Sequence, residues 1–303
     1  EAYFSFDGRQ LIYQSKHGPY PCDQIFTMDL TGQNKTLVST GKGRTTCSYF
    51  LPGDTQIIYA STHGHSDDCP PPPDYSQGYV WKVYSSFDLY KADADGSNPQ
   101  PFLPAEGYDA EATVSPKGDK IVFTSQRDGD LDIYTVNIDG SNLQRLTSRL
   151  GYDGGAFFSW DGRKIVYRSY HPRTPAETER YQNLLDREMI EPNDFQIFVM
   201  DADGSDKRQI TDNEFANFAP FFHPDNKRII FSSNMNSSPQ KGMPDFNLWM
   251  INEDGSGLEQ ITFFKGFDSF PMFSRDGKQL VFGSNRFNRN PNDTNVFLAD
   301  WVD

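Results

Sequence analysis

Between Tyr108 and Thr147 apolar and polar residues alternate in four short runs, Ala110 to Val114, Lys120 to Ser125, Asp132 to Val136 and Leu143 to Thr147. Period-two alternation in runs of this length, bounded by Gly, Asp and Pro, predicts four antiparallel strands. The first two are joined through Ser115-Pro116-Lys117-Gly118 and the last two through Asp139-Gly140. Glycine takes positive φ without steric cost, so Asp-Gly between such runs is a strong hairpin signal. A unit of this kind cannot bury both faces alone and must stack against copies of itself.

The copies are present. The apolar second run recurs as Leu11-Ile12-Tyr13, Ile57-Ile58-Tyr59, Ile121-Val122-Phe123, Ile165-Val166-Tyr167, Ile229-Ile230-Phe231 and Leu280-Val281-Phe282. The second turn recurs as Thr31-Gly32, Asp95-Gly96, Asp139-Gly140, Asp203-Gly204 and Asp254-Gly255. A repeat of about 44 residues with four strands per copy is the signature of propeller blades. The predicted fold is therefore all-β, a single six-bladed β-propeller over residues 1–303 with four-stranded antiparallel blades. The blades fall at about Ala2–Thr40, Arg44–Leu103, Tyr108–Thr147, Tyr152–Thr211, Asn217–Thr262 and from Asp268 onward.

Blades 2 and 4 are lengthened by insertions at about 62–86 and 170–194, both between the second and third strands. The first carries the proline run Pro70 to Pro73, expected to be extended polyproline. The second carries a helix signal: Thr174 as cap, Pro175 at the first position, Glu177 completing a capping box, then Tyr181, Leu184, Leu185 and Met189 as an apolar stripe. In an antiparallel blade the loops between strands two and three emerge on the face where strand one begins. Both insertions therefore elaborate one face, and the Asp-Gly turns lie on the other.

That arrangement directs specific side chains to the elaborated face. The starts of first strands bring Asp109, Glu111, Asp153 and Asp268 near the central channel, and the ends of second strands bring His17, His63, Arg127, His171 and Arg286. Two readings are open for the carboxylates. They cap exposed backbone N–H groups, or they form an acidic ring that holds a cation such as Ca²⁺ or orients a polar ligand at the channel mouth. Asp-x-Asp-Gly at Asp93 and Asp201 lacks the remaining ligands of a calcium loop and reads as hairpin. The histidines lie on separate blades, too far apart for a zinc site, so no metal is expected there. No nucleophile elbow, His-Glu-x-x-His or phosphate-cradling loop occurs, and no catalytic set is assigned.

Charge narrows the partners. The formal net charge is −14 with no Lys/Arg cluster, which argues against nucleic acid and anionic membrane. No apolar run reaches the length of a membrane span, and no signal peptide precedes Glu1, as in a processed chain. Three cysteines occur, and Cys69 sits in the proline-rich loop. A free thiol there is a liability, so a disulfide from Cys69 to Cys47 or Cys22 is expected, with an extracytoplasmic location following from it. Sequons at Asn34, Asn236 and Asn292 carry little weight in a chain of this length.

The repeats Phe4-Ser5-Phe6-Asp7-Gly8, Phe158-Ser159-Trp160-Asp161-Gly162 and Phe273-Ser274-Arg275-Asp276-Gly277, with Ile133-Tyr134 and Leu146-Thr147, resemble the PD40 (WD40-like) repeats of TolB-like six-bladed propellers. The resemblance covers nearly the whole chain and implies fold. For function it implies either a protein-interaction domain or a module attached to a peptidase. TolB itself has an additional N-terminal α/β domain that this sequence lacks, so a role in the Tol system is not implied.

Blade 6 shows strands at Phe270 to Phe273, Gln279 to Gly283 and Asn295 to Trp301, with no run for a fourth. Either residues ahead of Glu1 supply that strand or it comes from elsewhere. An uncovered edge at Asn295, Val296, Phe297, Leu298 and Trp301 invites strand addition by a partner or a second copy. The expected function is thus a non-enzymatic, extracytoplasmic binding or self-assembly module. The alternative is a domain of, or associated with, a peptidase or saccharide-active enzyme that uses the elaborated face.

Overall fold

The structure is a computed structural model that describes residues 1–16, 18–237, 244–290 and 293–302. Six antiparallel sheets follow one another along the chain, five of four strands and one of three. In blade 3 the strands are Asp109–Val114, Lys120–Ser125, Asp132–Asn137 and Gln144–Arg145, each paired with the next. Blade 6 comprises Asp268–Phe273, Gln279–Ser284 and Asn295–Asp300. Blade 1, opening with Ala2–Phe4, packs on blade 6 and closes the ring.

Stacking makes each middle strand inaccessible on both faces. Ile121, Val122 and Phe123 are all fully buried, because one face meets the preceding blade and the other the following blade. Large rings fill the axis, where blades come closest. Tyr3 lies 5.4 Å from Tyr49 and 5.8 Å from Phe157, and Phe157 lies 5.1 Å from Phe221. Offset and tilted ring pairs at such distances add to their area burial.

The turns explain the repeat's recurring residues. Ser5, Ser159 and Ser274 each donate a hydroxyl hydrogen bond of 2.7 Å to Asp7, Asp161 and Asp276, and the glycine that follows has φ near +70°. At the far turns Ser97, Ser141, Ser205 and Ser256 donate to Asp95, Asp139, Asp203 and Asp254 at 2.6 Å. These serines hold all four exposed carboxyl groups below their ordinary pKa. They are self-contained hairpins with no vacant ligand set.

The two insertions meet over blade 3. Trp81–Lys82 pairs antiparallel with Met189–Ile190, and Cys22 is bonded to Cys69. The helix α1 runs Pro175–Leu185 with the Thr174 cap and Glu177 capping box in place. It stops before Met189, which lies in the short strand instead. Among the described residues no helix is long and apolar enough to cross a membrane.

Candidate functional site

One repeated pair anchors the inner strand of three blades to the end of the neighbouring strand, the second residue eighteen positions after the first. Asp109 accepts from Arg127 at 3.1 Å, and Asp268 accepts from Arg286 at 2.5 Å. Asp153 lies 3.5 Å from His171 Nε2. In blade 2 the same positions hold Thr45 and His63. Serine two residues earlier braces each partner: Ser125 to Arg127 at 2.7 Å, Ser284 to Arg286 at 3.0 Å, Ser169 to His171 at 2.9 Å and Ser61 to His63 at 2.7 Å. Aromatic rings of the same blade flank them, Phe123 and Tyr134 for Arg127, and Tyr90 at 4.1 Å for His63.

The pairs therefore sit within blades, and Asp109, Asp153 and Asp268 are at most 1% exposed. They do not converge on the axis. Burial pushes Asp153 up to about 7 and raises Asp109 against the opposing hydrogen bond of Ser125 and charge of Arg127. Burial also lowers His171 and His63. His17 and the sequon Asn292 lie outside the described residues. Among the described residues no three His, Cys, Asp or Glu side chains are placed to hold a metal ion.

Glu111 is the expected acid that does reach the axis. A β-bulge interrupts the first strand of blades 2 to 6. It places Cys47, Glu111, Gly155, Ala219 and Phe270 in the left-handed region, φ +47° to +60°. Together with Glu1 they line what remains of the channel, a cavity of about 20 Å³, room for one water. Glu111 Oε2 accepts from Thr124 Oγ1, Tyr152 Oη and the Gly155 amide at 2.7 to 2.9 Å. Its Oε1 receives Nη2 of Arg168.

Arg168 plugs the ring. It is 6% exposed, donates to Tyr152 Oη at 2.6 Å, and lies between the rings of Trp81, Tyr152 and Phe195 at 5.3 to 5.8 Å. Burial opposes its charge, but the Glu111 carboxylate overrides this and raises it. Its Nε has no hydrogen-bond partner among the described residues. A Cβ at Gly155 would stand 2.4 Å from Arg168 Nη1, and one at Gly154 2.5 Å from Glu111 Oε2. The pair Gly154-Gly155 is therefore the space in which the ion pair fits. Trp81, brought by the first insertion, sets its ring against Phe195 and Phe218 beside Arg168.

Two surfaces away from the axis bear on binding. A polar cleft of about 690 Å³ lies beside the second insertion, lined by residues including Arg149, His171, Arg173, Asp194, Gln196 and Asp212. The other is the edge of blade 6. In blade 3 the third strand is buried along Asp132–Val136. In blade 6 Val296, Phe297 and Leu298 are only half-buried and Asn295 and Ala299 are exposed. Trp301 lies past the strand and packs on Phe273, ring centroids 4.9 Å apart.

No family model matches the chain. A stretch of 87 residues, 29% of the chain, is 35% identical to dipeptidyl-peptidase 5 of Porphyromonas gingivalis. Another stretch, of 90 residues, is 34% identical to an uncharacterized protein of Agrobacterium fabrum, and the matched stretches span only 28% of that protein and 12% of the peptidase. Similarity over the whole chain comes from solved structures. A putative TolB from Agrobacterium tumefaciens aligns over 99% of this chain and 89% of its own, with TM-score 0.62 and 20% identity. In fold, the chain is a TolB-like six-bladed propeller. An oligogalacturonate lyase in complex with manganese aligns over 97% of the chain and 72% of its own, with TM-score 0.56 and 14% identity. Identities this low speak for the fold alone.

From sequence, Asp109, Asp153, Asp268, Arg127, His171 and Arg286 were expected on one face near the channel without any pairing among them, and Arg168 was not among the candidates. Its signals were an arginine directly after the apolar run Ile165-Val166-Tyr167, within the same strand, and a Gly-Gly in the facing strand. Glycine in a strand interior often marks close approach by another group. The disulfide expected from Cys69 goes to Cys22, and Cys47 is free. Burial pushes the Cys47 thiol well up, which makes it a poor nucleophile.

Proposed function

We propose that this TolB-like propeller is a non-enzymatic, extracytoplasmic protein-binding module whose blade 6 edge accepts a strand from a partner or from a second copy. The observation that carries the reading is the three-stranded blade 6 with its half-buried outer strand Asn295–Asp300. Backbone groups at an uncovered edge are a template for another strand, which proteins cover or use. The Cys22–Cys69 bond supports an oxidising compartment. The plugged channel, with its cavity of about 20 Å³, leaves no room at the axis for a drug-sized ligand, whose pockets run from about 300 Å³. Sedimentation tests the reading: replacing Val296 and Leu298 by lysine should abolish partner-bound or oligomeric species, and unchanged sedimentation of a species that existed before would end it.

A second reading rests on the cleft at Arg149, His171 and Arg173. The local similarity to a peptidase and the fold likeness to a saccharide lyase make an enzyme-associated domain the competing class. Turnover of a peptide or uronate substrate that is lost in Arg173→Ala would favour it.

A further inference from the structure

The first insertion presents four prolines in a row, residues 70–73, directly after the disulfide cysteine Cys69. Each ring fixes φ at about −65°, and each residue ahead of a proline is pushed into the extended region. Four in succession form a left-handed polyproline helix with about three residues per turn. Exposure follows that period. Pro70 and Pro73 are half-buried, while Pro71, Pro72, Asp74 and Tyr75 are exposed. Asp74 continues the extended path, with φ −83° and ψ 100°, and caps the short turn Tyr75–Gln77.

The run is held at both ends and in the middle. Cys69 is bonded to Cys22, a buried residue of blade 1. The Pro71 carbonyl accepts from the hydroxyl of Tyr84 at 2.6 Å, and Tyr84 is itself buried. The Asp74 carboxylate accepts from the Ser76 amide at 2.9 Å and lies 3.4 Å from Arg187 of the second insertion. An exposed segment tied down at three points has already lost the chain entropy that a partner would otherwise have to remove.

Two ridges face outward at the helical period, Pro71 with Asp74 and Pro72 with Tyr75. Proline has no amide hydrogen, so the run offers acceptors alone. The carbonyls of Pro72 and Pro73 have no hydrogen bond to a described residue. The Tyr75 side chain, in a residue 59% exposed, adds a large ring at the end of one ridge. Asp67, Asp68 and Asp74 flank the prolines in a chain of net charge −14.

We infer that residues 71–75 are a docking ligand, a preformed polyproline segment that a partner protein clasps in a groove of stacked aromatic side chains with a basic rim. Such grooves read polyproline because its helix is formed before binding. The partner's aromatic rings pack on Pro72, and their N–H or O–H groups donate to the carbonyls of Pro72 and Pro73. A second pocket takes the Tyr75 ring, and Lys or Arg at the rim meets Asp68 and Asp74. A groove that inserts two prolines three apart is disfavoured, because Pro70 and Pro73 are the half-buried pair. This surface belongs to the first insertion and does not depend on the blade 6 edge.

The probe is a dye-labelled WW domain of the class that reads Pro-Pro-x-Tyr in an aromatic groove. The whole chain is titrated into it and followed by fluorescence anisotropy. An SH3 domain, which reads prolines three apart, is the comparison. Saturable binding of the WW domain is expected, and none of the SH3 domain. Pro72→Ala and Tyr75→Ala should each weaken binding at least about tenfold, with the thermal midpoint little changed because both side chains are exposed. A free peptide copying residues 70–76, Pro-Pro-Pro-Pro-Asp-Tyr-Ser, should bind about tenfold more weakly than the chain, since it must be ordered first. Val296→Lys with Leu298→Lys should leave binding as it was, which separates this surface from the blade 6 edge. Absence of saturable WW binding, binding unchanged in Pro72→Ala or Tyr75→Ala, or tighter binding of the SH3 domain would each overturn the inference. A free peptide as tight as the folded chain would overturn the preformed geometry on which it stands.

Discussion

Arg168 and Glu111 form a charge pair at the centre of an otherwise aromatic axis. Taking both ions from water is costly, and their attraction together with the bonds from Tyr152, Thr124 and the Gly155 amide offsets it. Removing one partner should therefore be severe. Arg168→Met is expected to cost about 3 to 5 kcal/mol of unfolding free energy, read by denaturant titration, because Glu111 is left buried and unpaired. Adding Glu111→Gln to that variant should recover part of the loss. A single-variant cost under about 1 kcal/mol would refute the plug. Gly155→Ala tests the same geometry from the backbone side, since its Cβ would stand 2.4 Å from the guanidinium. This centre was only half legible in sequence. The carboxylate could be placed by counting from the repeat, but its partner is 57 residues away on the next blade, and only the bulge that turns Glu111 inward joins them.

Asp153 is the other residue whose chemistry reaches the whole protein. Its folded pKa of about 7 lies above the ordinary value, raised by burial. A raised carboxyl binds its proton more readily folded than unfolded. Its contribution to stability is thus fully present below about pH 4 and is lost as pH rises through about 7, by up to a few kcal/mol. His171, which faces it and is lowered by burial, acts oppositely, with stability lost as pH falls below its ordinary 6.5. Asp130 and Asp132 are charged neighbours that help raise Asp153. The difference between wild type and Asp153→Asn isolates the carboxyl. The wild type should lose more stability than the variant between pH 5 and pH 8, measured by urea midpoints at each pH. Parallel curves would show that Asp153 is ionised throughout.

At the scale of elements, strands were the legible part, because turn residues punctuate them and hairpins are local. The helix was legible at its start for the same reason. Thr174, Pro175 and Glu177 carry their signal within four residues. Its end was not, since Met189 keeps helical spacing in the sequence yet is drawn into a strand with Lys82 from an insertion over a hundred residues away. Disulfide pairing was likewise open, because Cys47 and Cys22 are both near Cys69 by blade order. The bulge that turns Cys47 toward the axis, φ +47°, removes it from contention. The Cys22–Cys69 bond closes a span of 47 residues between blade 1 and the first insertion. Chain entropy puts its contribution at about 4 kcal/mol. Replacing both cysteines by serine should lower the thermal midpoint by several degrees. It should also open the Pro70–Pro73 loop to protease while the rest of the chain stays resistant. Loss of neither would mean that the loop is held by its other contacts, such as the Tyr84 hydroxyl on the Pro71 carbonyl at 2.6 Å.

Across the whole molecule, six nearly equivalent wedges differ in one respect that bears on both stability and binding. In blades 1 to 5 the outward amide of the second residue of strand three is bonded or covered, and that residue is at most 1% exposed: Ile25, Leu89, Ile133, Ile197 and Leu248. Val296 is half-buried with its outward groups unbonded to any described residue. Local opening follows the contacts that must be broken, and exchange reports its free energy. Native-state exchange on the isolated chain should therefore find Val296 and Leu298 opening at a small fraction of the global free energy, while the five counterparts exchange only by global unfolding. Since loss of blade 6 also strips its cover from Ala2–Phe4, the strand should open alone before the ring parts. A strand that fills this edge would bring Val296 up to the level of its counterparts without moving them. Were Val296 as slow as Ile133 in the isolated chain, the sixth wedge would already be complete in solution, and the binding surface would have to be sought at the cleft beside His171.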